Sequence, residues 1–274
     1  WNYKFTWNPR NVVLAGQGTA QFMEKGKYKY TPYSRLFSDY NTIDVPDMGT
    51  YEVYPNRDSL LYRDVYGVSD IPTILRGTIR CEGFCEAWAA LVRIGLTDGS
   101  YPIHDADKIT YHEWMNAYLP EGNGSVRDRM AAFLGEETDS EVMQKLEWIG
   151  LFRKVKINLE TATPALILEK LLLSKWTLKP EDKDMIIMQH EVEYVKRGVK
   201  KRVISSMVMK GEDSEDTAMA RLVGLPLAIF VKLIMEGKIT TTGVNIPVMQ
   251  EVYEPVLKEL EEFGVIFKET ILEI

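Results

Sequence analysis

Three short polar segments in the first third of the chain each carry an arginine among other hydrogen-bonding side chains. They are residues 5–10, 55–59 and 75–80. A guanidinium group is planar, stays charged and can donate two parallel hydrogen bonds to one carboxylate. Several such groups at the ends of structural elements suit a small substrate with more than one carboxylate. The sequence therefore predicts an anion-binding site in this region.

The second segment, Asn56-Arg57-Asp58-Ser59, lies between a predicted strand and a predicted helix. Backbone N–H groups at the start of a helix can bind an anion, and Asn56, Arg57 and Ser59 would add side-chain donors. An ion pair between Arg57 and Asp58 is the alternative, and it would leave the arginine without a further role.

The third segment places polar residues at every second position of a predicted strand. Arg76, Thr78 and Arg80 therefore share one face. This polar stripe could bind the substrate, or it could be an ordinary solvated sheet face.

The first segment lies at the predicted start of a helix, because Asn8 can cap the helix and Pro9 suits its first position. Trp7, beside Asn8 and Arg10, could form one wall of a pocket. A hydrophobic staple that fixes the entry into the helix is the competing interpretation.

Gly16 and Gly18 resemble the start of a dinucleotide-binding fingerprint. That fingerprint needs glycine or alanine three residues after the second glycine, with a strand before the loop and a helix after it. Position 21 is Gln21, and the helix that begins at Pro9 is predicted to continue to about Gly26. The glycines are therefore interpreted as positions of close helix packing, with no cofactor bound by them.

The remaining polar residues exclude several other functions. The three histidines, His104, His112 and His190, share no ligand spacing, so no metal site is predicted. The net charge of −7 argues against nucleic-acid binding, which requires a basic surface. Cys81 and Cys85 are predicted to be free thiols in a reducing compartment, and no signal peptide is readable. Together these observations predict a cytoplasmic protein.

Hydrophobic periodicity and turn residues predict the elements that position the three segments. Before residue 82, strands are expected at residues 43–45, 50–54 and 73–80, with a helix at residues 58–66. Residues 82–176 are predicted to be an all-helical insertion, with helices at 86–94, from 110, at 125–134, at 140–149 and from 163. A long hairpin is expected at residues 184–195 and 199–209, followed by a helical segment over residues 217–274. The fold class is therefore α+β, with a mostly antiparallel or mixed sheet.

The longest apolar stretch is residues 222–235. It contains Lys232 and is interrupted by Gly224-Leu225-Pro226, so it is predicted to be a buried helix pair and not a membrane span.

Taken together, these motifs resemble saccharopine dehydrogenase of the glutamate-forming, or saccharopine reductase, type. The segments that carry the resemblance occur in the family's order along nearly the whole chain. They are residues 3–10, 54–59, 76–80, 211–213, 217–220, 243–247 and 253–255.

The resemblance implies a particular domain organisation. Family members have an N-terminal Rossmann domain that binds NAD or NADP, and this chain, which begins at Trp1, is expected to start after that domain. Residues 1–81 and 177–210 would form a sheet-based substrate-binding and dimerisation domain, which makes a homodimer the expectation. Residues 82–176 would be its helical insertion. Residues 211–274 would be a C-terminal segment that packs on the nucleotide-binding domain.

The resemblance also implies a reaction, which is hydride transfer between nicotinamide and the secondary-amine carbon of saccharopine through an imine. Saccharopine carries three carboxylates, which gives several arginines a reason to be present. The chain alone is expected to bind no cofactor and to be inactive. By resemblance, the substrate-binding residues are Trp7, Asn8, Arg10, Asn56, Arg57, Ser59, Arg76 and Thr78.

Two alternatives remain open at this point. A related imine-reducing enzyme that acts on a carboxylated polyamine would need acidic residues in its pocket. A dimeric binding module without catalytic activity would need neither a cofactor nor a hydride.

Overall fold

The structure, a computed structural model, describes residues 1–274 and has the predicted α+β architecture. The chain folds into two units. The first unit comprises residues 1–44 and 50–177, and the second comprises residues 45–49 and 178–274. The three-part division expected from the sequence remains a prediction.

The first helix is much shorter than expected. Helix α1 spans only Pro9–Val13, and the side chain of Asn8 caps it by accepting a hydrogen bond from the N–H of Asn11. The chain then turns at Gly16 and Gly18, whose φ angles are +81° and +100°. These are left-handed conformations in which a right-handed helix cannot continue. The predicted helix to Gly26 is therefore wrong.

A β-hairpin occupies the place of that helix. Strands β1 (Thr19–Glu24) and β2 (Lys27–Pro32) pair in antiparallel register around a turn at Lys25 and Gly26. Both turn residues have positive φ, the geometry of a tight hairpin turn. Aromatic residues at alternate positions of β2, Tyr28 and Tyr30, favour a strand over a helix.

The sheet that carries the arginine segments follows the hairpin. A short helix, α2 (Tyr33–Leu36), leads into strands β3 (Asn41–Val45) and β4 (Gly49–Pro55). After helix α3 (Leu61–Val65), strand β5 (Gly77–Arg80) pairs antiparallel with β4. Strands β3 and β4 and helix α3 are confirmed. The third strand is shorter than predicted, and only Ile74 of residues 73–76 makes a further bridge, to Met23 of β1.

All five helices predicted between residues 82 and 176 are present. They are α4 (Phe84–Ile94), α5 (Tyr111–Tyr118), α6 (Val126–Leu134), α7 (Glu141–Ile149) and α8 (Pro164–Trp176). Two-residue strands β6 (Ile103–His104) and β7 (Thr161–Ala162) pair between α4 and α8, and a 3₁₀ turn lies at Ala106–Lys108. Reciprocal capping boxes begin α5 at Thr110 and α6 at Ser125.

The core of the first unit is aromatic where α4 and α8 meet the N-terminal segment. Trp88 of α4 and Trp176 of α8 stack with ring centroids 6.0 Å apart, and both are almost fully buried. Phe84 stacks on Trp88 at 5.5 Å, while Tyr3 and Phe5 contact Trp176 edge-on. The residues that lead into α1 are therefore anchored by large rings.

The second unit is a three-stranded antiparallel sheet with two helices. Strands β8 (Met185–Lys196) and β9 (Val199–Lys210) form the predicted hairpin, and helices α9 (Ala218–Met235) and α10 (Gln250–Glu262) follow. Strand β10 (Lys268–Glu273) pairs with β9, so the expectation of helix to the C-terminus is wrong at its end. The chain leaves α10 at Gly264, whose φ is +80°. The following residues then pair with backbone groups along the edge of β9.

Helix α9 also departs from the prediction. The apolar stretch is one continuous helix with Pro226 inside it, not a buried pair, and only Ala218, Ile229 and Leu233 are buried. By length and composition α9 could cross a membrane, and 17% of that window is buried inside the structure. A single helix that passes this test is weak evidence for a membrane span.

A buried carboxylate joins the sheet of the first unit to its helical block. Glu52 of β4 is only 3% exposed, and its two oxygens accept hydrogen bonds from the N–H groups of Gly83 at 2.6 Å and Cys85 at 2.8 Å. The residue at the N-cap of α4 is Gly83, which has no side chain to provide this bond. Glu52 therefore caps α4 from another element, where a negative charge also interacts favourably with the helix dipole.

Replacement of Glu52 tests this cap. Glu52→Gln keeps the size of the side chain but places an N–H₂ group against one of the two N–H donors. The free energy of unfolding in urea should fall by about 1–3 kcal/mol. The matched control is Glu82→Gln, at an exposed neighbouring position, which should change it by less than about 0.5 kcal/mol. Equal stabilities for the two variants would contradict the capping role.

Candidate functional site

Backbone hydrogen bonds fix the loop of residues 56–59 between strand β1 and the residue that precedes β5. The N–H of Gln21 in β1 donates to the carbonyl of Arg57 at 2.9 Å, and the N–H of Ser59 donates to the carbonyl of Gln21 at 2.8 Å. On the other side, the N–H of Asn56 donates to the carbonyl of Arg76 at 2.8 Å. The second and third polar segments are therefore neighbours in space.

Ser59 completes this connection from inside the protein. Its side chain is 1% exposed, and its Oγ accepts a hydrogen bond from the backbone N–H of Arg76 at 2.9 Å. A hydroxyl held in this way positions the arginine segment. Its predicted contact with a substrate is not tested by this geometry.

Arg57 projects from the loop without an acidic partner. Its φ of +50° is left-handed, which costs about 1–2 kcal/mol for a residue with a Cβ atom. Asp58 does not pair with it, because Asp58 Oδ1 accepts instead from the N–H of Leu60 at 2.8 Å. The alternative in which Arg57 serves only as the partner of Asp58 is therefore absent from the structure.

Arg76 also has no acidic partner. Its guanidinium carbon lies 4.1 Å from the ring centroid of Tyr62 in α3, which is a cation–π contact. Tyr62 was not recognised from the sequence, where only its position after the Arg57 loop could have indicated it.

Thr78 and Arg80 lie on the same face of β5, and this face is not an ordinary solvated one. Thr78 is the cross-strand partner of the buried Tyr54. Burial raises the pKa of the Tyr54 hydroxyl, while the Arg80 charge and a hydrogen bond with Thr78 oppose that rise. The Arg80 guanidinium lies within 6 Å of the rings of Tyr3, Tyr54 and Phe84. Arg80 is therefore part of the aromatic core.

The first polar segment has partners of its own. Arg10 Nε forms an ion pair with Glu169 Oε2 of α8 at 2.8 Å, and Asn8 caps α1. Trp7 is 53% exposed. No hydrogen bond, ion pair or ring contact joins these three residues to Arg57 or Arg76.

Possible metal ligands, the two cysteines and the glycines at positions 16 and 18 were the other candidates for chemistry. No group of three His, Cys, Asp or Glu side chains could hold a metal ion. Cys81 and Cys85 are free, and burial followed by the Glu52 charge raises the pKa of the Cys85 thiol. Gly16 and Gly18 follow a helix and precede a strand, the reverse of the order in a nucleotide-binding loop. Both glycines lie in a loop and not within a helix. Gly16 still allows close packing against a helix, since a Cβ atom there would lie 2.3 Å from Leu36 Cδ2 of α2, whereas a Cβ atom at Gly18 would meet nothing within 4 Å.

A groove in the first unit lies away from the arginine segments. It has a volume of about 630 Å³ and is lined by Leu14, Gln17, Tyr33, Thr97, Asp98 and neighbouring residues. None of the predicted substrate-binding residues lines it.

Gly77, between Arg76 and Thr78, has a packing role. A Cβ atom at this position would lie 2.3 Å from Val53 Cγ1 in β4, far inside contact distance. Glycine therefore lets β5 pair with β4 at this point without displacing the Val53 side chain.

Gly77→Ala should separate β5 from β4 and lower the free energy of unfolding by about 1–3 kcal/mol, measured in urea. Gly224→Ala is the control, because an added Cβ atom there meets nothing within 4 Å. Gly224 lies inside α9, so alanine should be neutral or stabilising by up to about 1 kcal/mol. A fully stable Gly77→Ala protein would mean that the close approach is not needed.

Comparison with known proteins identifies the family. The family model described as "Saccharopine dehydrogenase C-terminal domain" matches residues 1–265. This chain belongs to the saccharopine dehydrogenase C-terminal domain family. The resemblance seen in the polar segments is thereby confirmed.

The similar proteins include longer enzymes. The saccharopine dehydrogenase [NADP(+), L-glutamate-forming] of Saccharomyces cerevisiae is 29% identical, over 97% of this chain and 61% of its own length. The mitochondrial alpha-aminoadipic semialdehyde synthase of Rattus norvegicus is 30% identical, over 97% of this chain and 29% of its own length. The structure of apo saccharopine dehydrogenase (L-Glu forming) from Saccharomyces cerevisiae superposes with a TM-score of 0.85, at 28% identity. That match covers 98% of this chain and 62% of the yeast chain.

Proposed function

We propose that this chain is the substrate-binding part of a saccharopine dehydrogenase-like oxidoreductase of lysine metabolism. Its reaction would be NAD(P)-dependent hydride transfer at the CH–NH carbon of saccharopine. The observation that carries the proposal is the pair Arg57 and Arg76, two guanidinium groups without acidic partners on segments tied by one backbone hydrogen bond. In a chain with 40 acidic residues, such a pair is suited to external carboxylates.

The two arginines would bind carboxylates of saccharopine and so orient the carbon that exchanges hydride. A charge-assisted contact of this kind is worth about 1.5–3 kcal/mol. Asn56 would add a hydrogen bond, and the exposed ring of Trp7 would cover one side of the substrate. Thr78, Arg10, Asn8 and Ser59 are weaker candidates, because each already has a partner within the chain.

The nicotinamide would supply the hydride chemistry, and the residues of this chain would bind and orient the substrate. NAD or NADP would be bound mainly by a nucleotide-binding domain outside residues 1–274. The name of the yeast relative specifies NADP(+) for that protein. A homodimer and a cytoplasmic location remain expectations.

The two alternatives receive less support. A polyamine-type substrate would call for free carboxylates, whereas Asp58, the acidic residue of the loop, is bonded to the backbone of Leu60. A non-catalytic module would be unlike the relatives, whose names are those of enzymes.

The decisive variant is Arg57→Ala in the full-length enzyme. Loss of one carboxylate contact should raise KM for saccharopine about 10- to 100-fold, with KM for the nicotinamide unchanged, in steady-state assays. Arg197→Ala is a matched control, because Arg197 is also an exposed arginine with positive φ, at the β8–β9 turn. An equal rise in KM for both substrates would indicate misfolding and would contradict the contact between Arg57 and a substrate carboxylate.

We also propose that α9 faces the nucleotide-binding domain. Val223, Leu227 and Val231 recur every four residues and are 51%, 65% and 50% exposed, which forms an apolar stripe along α9. Exposed apolar stripes of this kind mark interaction surfaces. The family resemblance supports the nucleotide-binding domain as the partner.

Leu227→Lys tests this second proposal in two contexts. In residues 1–274 alone the change is at an exposed position and should alter the free energy of unfolding by less than about 0.5 kcal/mol. In the full-length protein, a lysine buried against a partner domain should destabilise by more than about 1 kcal/mol. Equal effects in both proteins, measured by thermal unfolding, would exclude the proposed contact.

A further inference from the structure

Arg76 is one of three arginines in this chain whose guanidinium lies over an aromatic ring. Arg80 lies over three rings and Arg93 lies over Phe133. Arg80 also donates a hydrogen bond to the carbonyl of Ile79, and Arg93 donates one to the carbonyl of Leu134. These two arginines therefore use their N–H groups within the fold. The guanidinium of Arg76 makes no hydrogen bond or ion pair within the chain, and it lies against the Tyr62 ring.

We propose that Tyr62 is a positioning residue that orients the Arg76 guanidinium for a substrate carboxylate. This inference rests on the proposed function. A guanidinium is flat, and its N–H donors point outward in its plane. A ring that lies against the guanidinium carbon restricts the group without supplying a carboxylate or carbonyl acceptor, so the N–H donors remain available for a two-point contact with a carboxylate.

The backbone of Arg76 is held at the same time. Its N–H donates to Ser59 Oγ at 2.9 Å, and its carbonyl accepts from the N–H of Asn56 at 2.8 Å. With the main chain fixed on both sides, the freedom that remains belongs to the long side chain, and the Tyr62 ring limits it. Tyr66, one turn further along, contacts Tyr62 with ring centroids 5.5 Å apart and supports that ring. Pre-organisation of this kind reduces the entropy lost on binding.

The test uses the full-length enzyme and saccharopine. Tyr62→Leu removes the ring and should raise KM for saccharopine about 3- to 10-fold, with kcat within about two-fold of wild type and KM for the nicotinamide unchanged. Tyr62→Phe keeps the ring face and should restore a KM close to wild type. Tyr28→Leu, at an exposed tyrosine of β2, is the matched control.

A double-mutant cycle separates positioning from a general structural effect. Once Arg76 is changed to alanine, Tyr62→Leu should raise KM no further, because there is no guanidinium left to orient. Additive effects of the two changes would overturn the inference. If Arg76→Ala raises KM but Tyr62→Leu does not, the inference fails and the proposed function survives. If neither Arg57→Ala nor Arg76→Ala affects KM, the proposed function fails, and the inference with it.

A spectroscopic measurement covers the case in which Tyr62→Leu does not fold. In the wild-type enzyme labelled with ¹⁵N-arginine, the side-chain Nε–Hε signal lost in Arg76→Lys identifies Arg76. The ring current of Tyr62 should move that signal away from the position of a solvated arginine. A signal at the solvated position would overturn the inference.

Discussion

The architecture of the first unit depends on the carboxylate of Glu52. It lies on β4, and it binds the first N–H groups of α4, which is the first helix of the helical block. Because the side chain is buried, loss of either partner would leave charge or N–H groups without compensation, and such groups are expensive to bury. The position of β4 relative to the start of α4 is thereby fixed. Through the pairs Glu52–Arg80 and Tyr54–Thr78, the register of β5 is fixed as well, and Arg76 immediately precedes β5.

The second unit uses the same device. Asp184, just before β8, is 8% exposed and accepts hydrogen bonds from the N–H groups of Ala218 and Met219 at the start of α9. A Cβ atom at Gly211 would lie 2.2 Å from Asp184 Oδ1, which explains the glycine at the head of the Gly-Glu-Asp motif. In both units, a carboxylate in or just before a strand caps a helix that is distant in sequence.

The arginines of the polar segments fall into two groups according to the partners of their guanidinium groups. Arg10 has Glu169, and Arg80 has the aromatic core, so their charges are used to hold elements together. Arg57 and Arg76 have no acidic partner, although the chain carries more acidic than basic residues. The left-handed backbone at Arg57 sets the direction in which its side chain leaves the loop, and the Tyr62 ring lies against the Arg76 guanidinium. These constraints suit a site that must receive a carboxylate in a defined orientation.

What the sequence determined by itself was mostly local. Most of the helices after residue 82 begin at Ser or Thr caps, such as Thr110, Ser125 and Thr163, and these signals act within one turn of the chain. The β8–β9 hairpin follows in the same way from alternating residues around Arg197-Gly198. The arginine motifs could be recognised from the sequence because a family signature consists of residue types and their order, and not of the contacts that the residues make.

Only the tertiary structure decided the rest. Asn8-Pro9 correctly predicted where α1 begins, but the pairing of β1 with β2 ended it after five residues. Strand β10 exists because β9 offers it an edge, and α4 is capped by a residue more than thirty positions away. The same holds for the arginines: identical side chains became an ion pair, a core cation or a free guanidinium according to the groups that folding brought beside them. Sequence spacing specifies neighbours along the chain, whereas desolvation and pairing depend on neighbours in space.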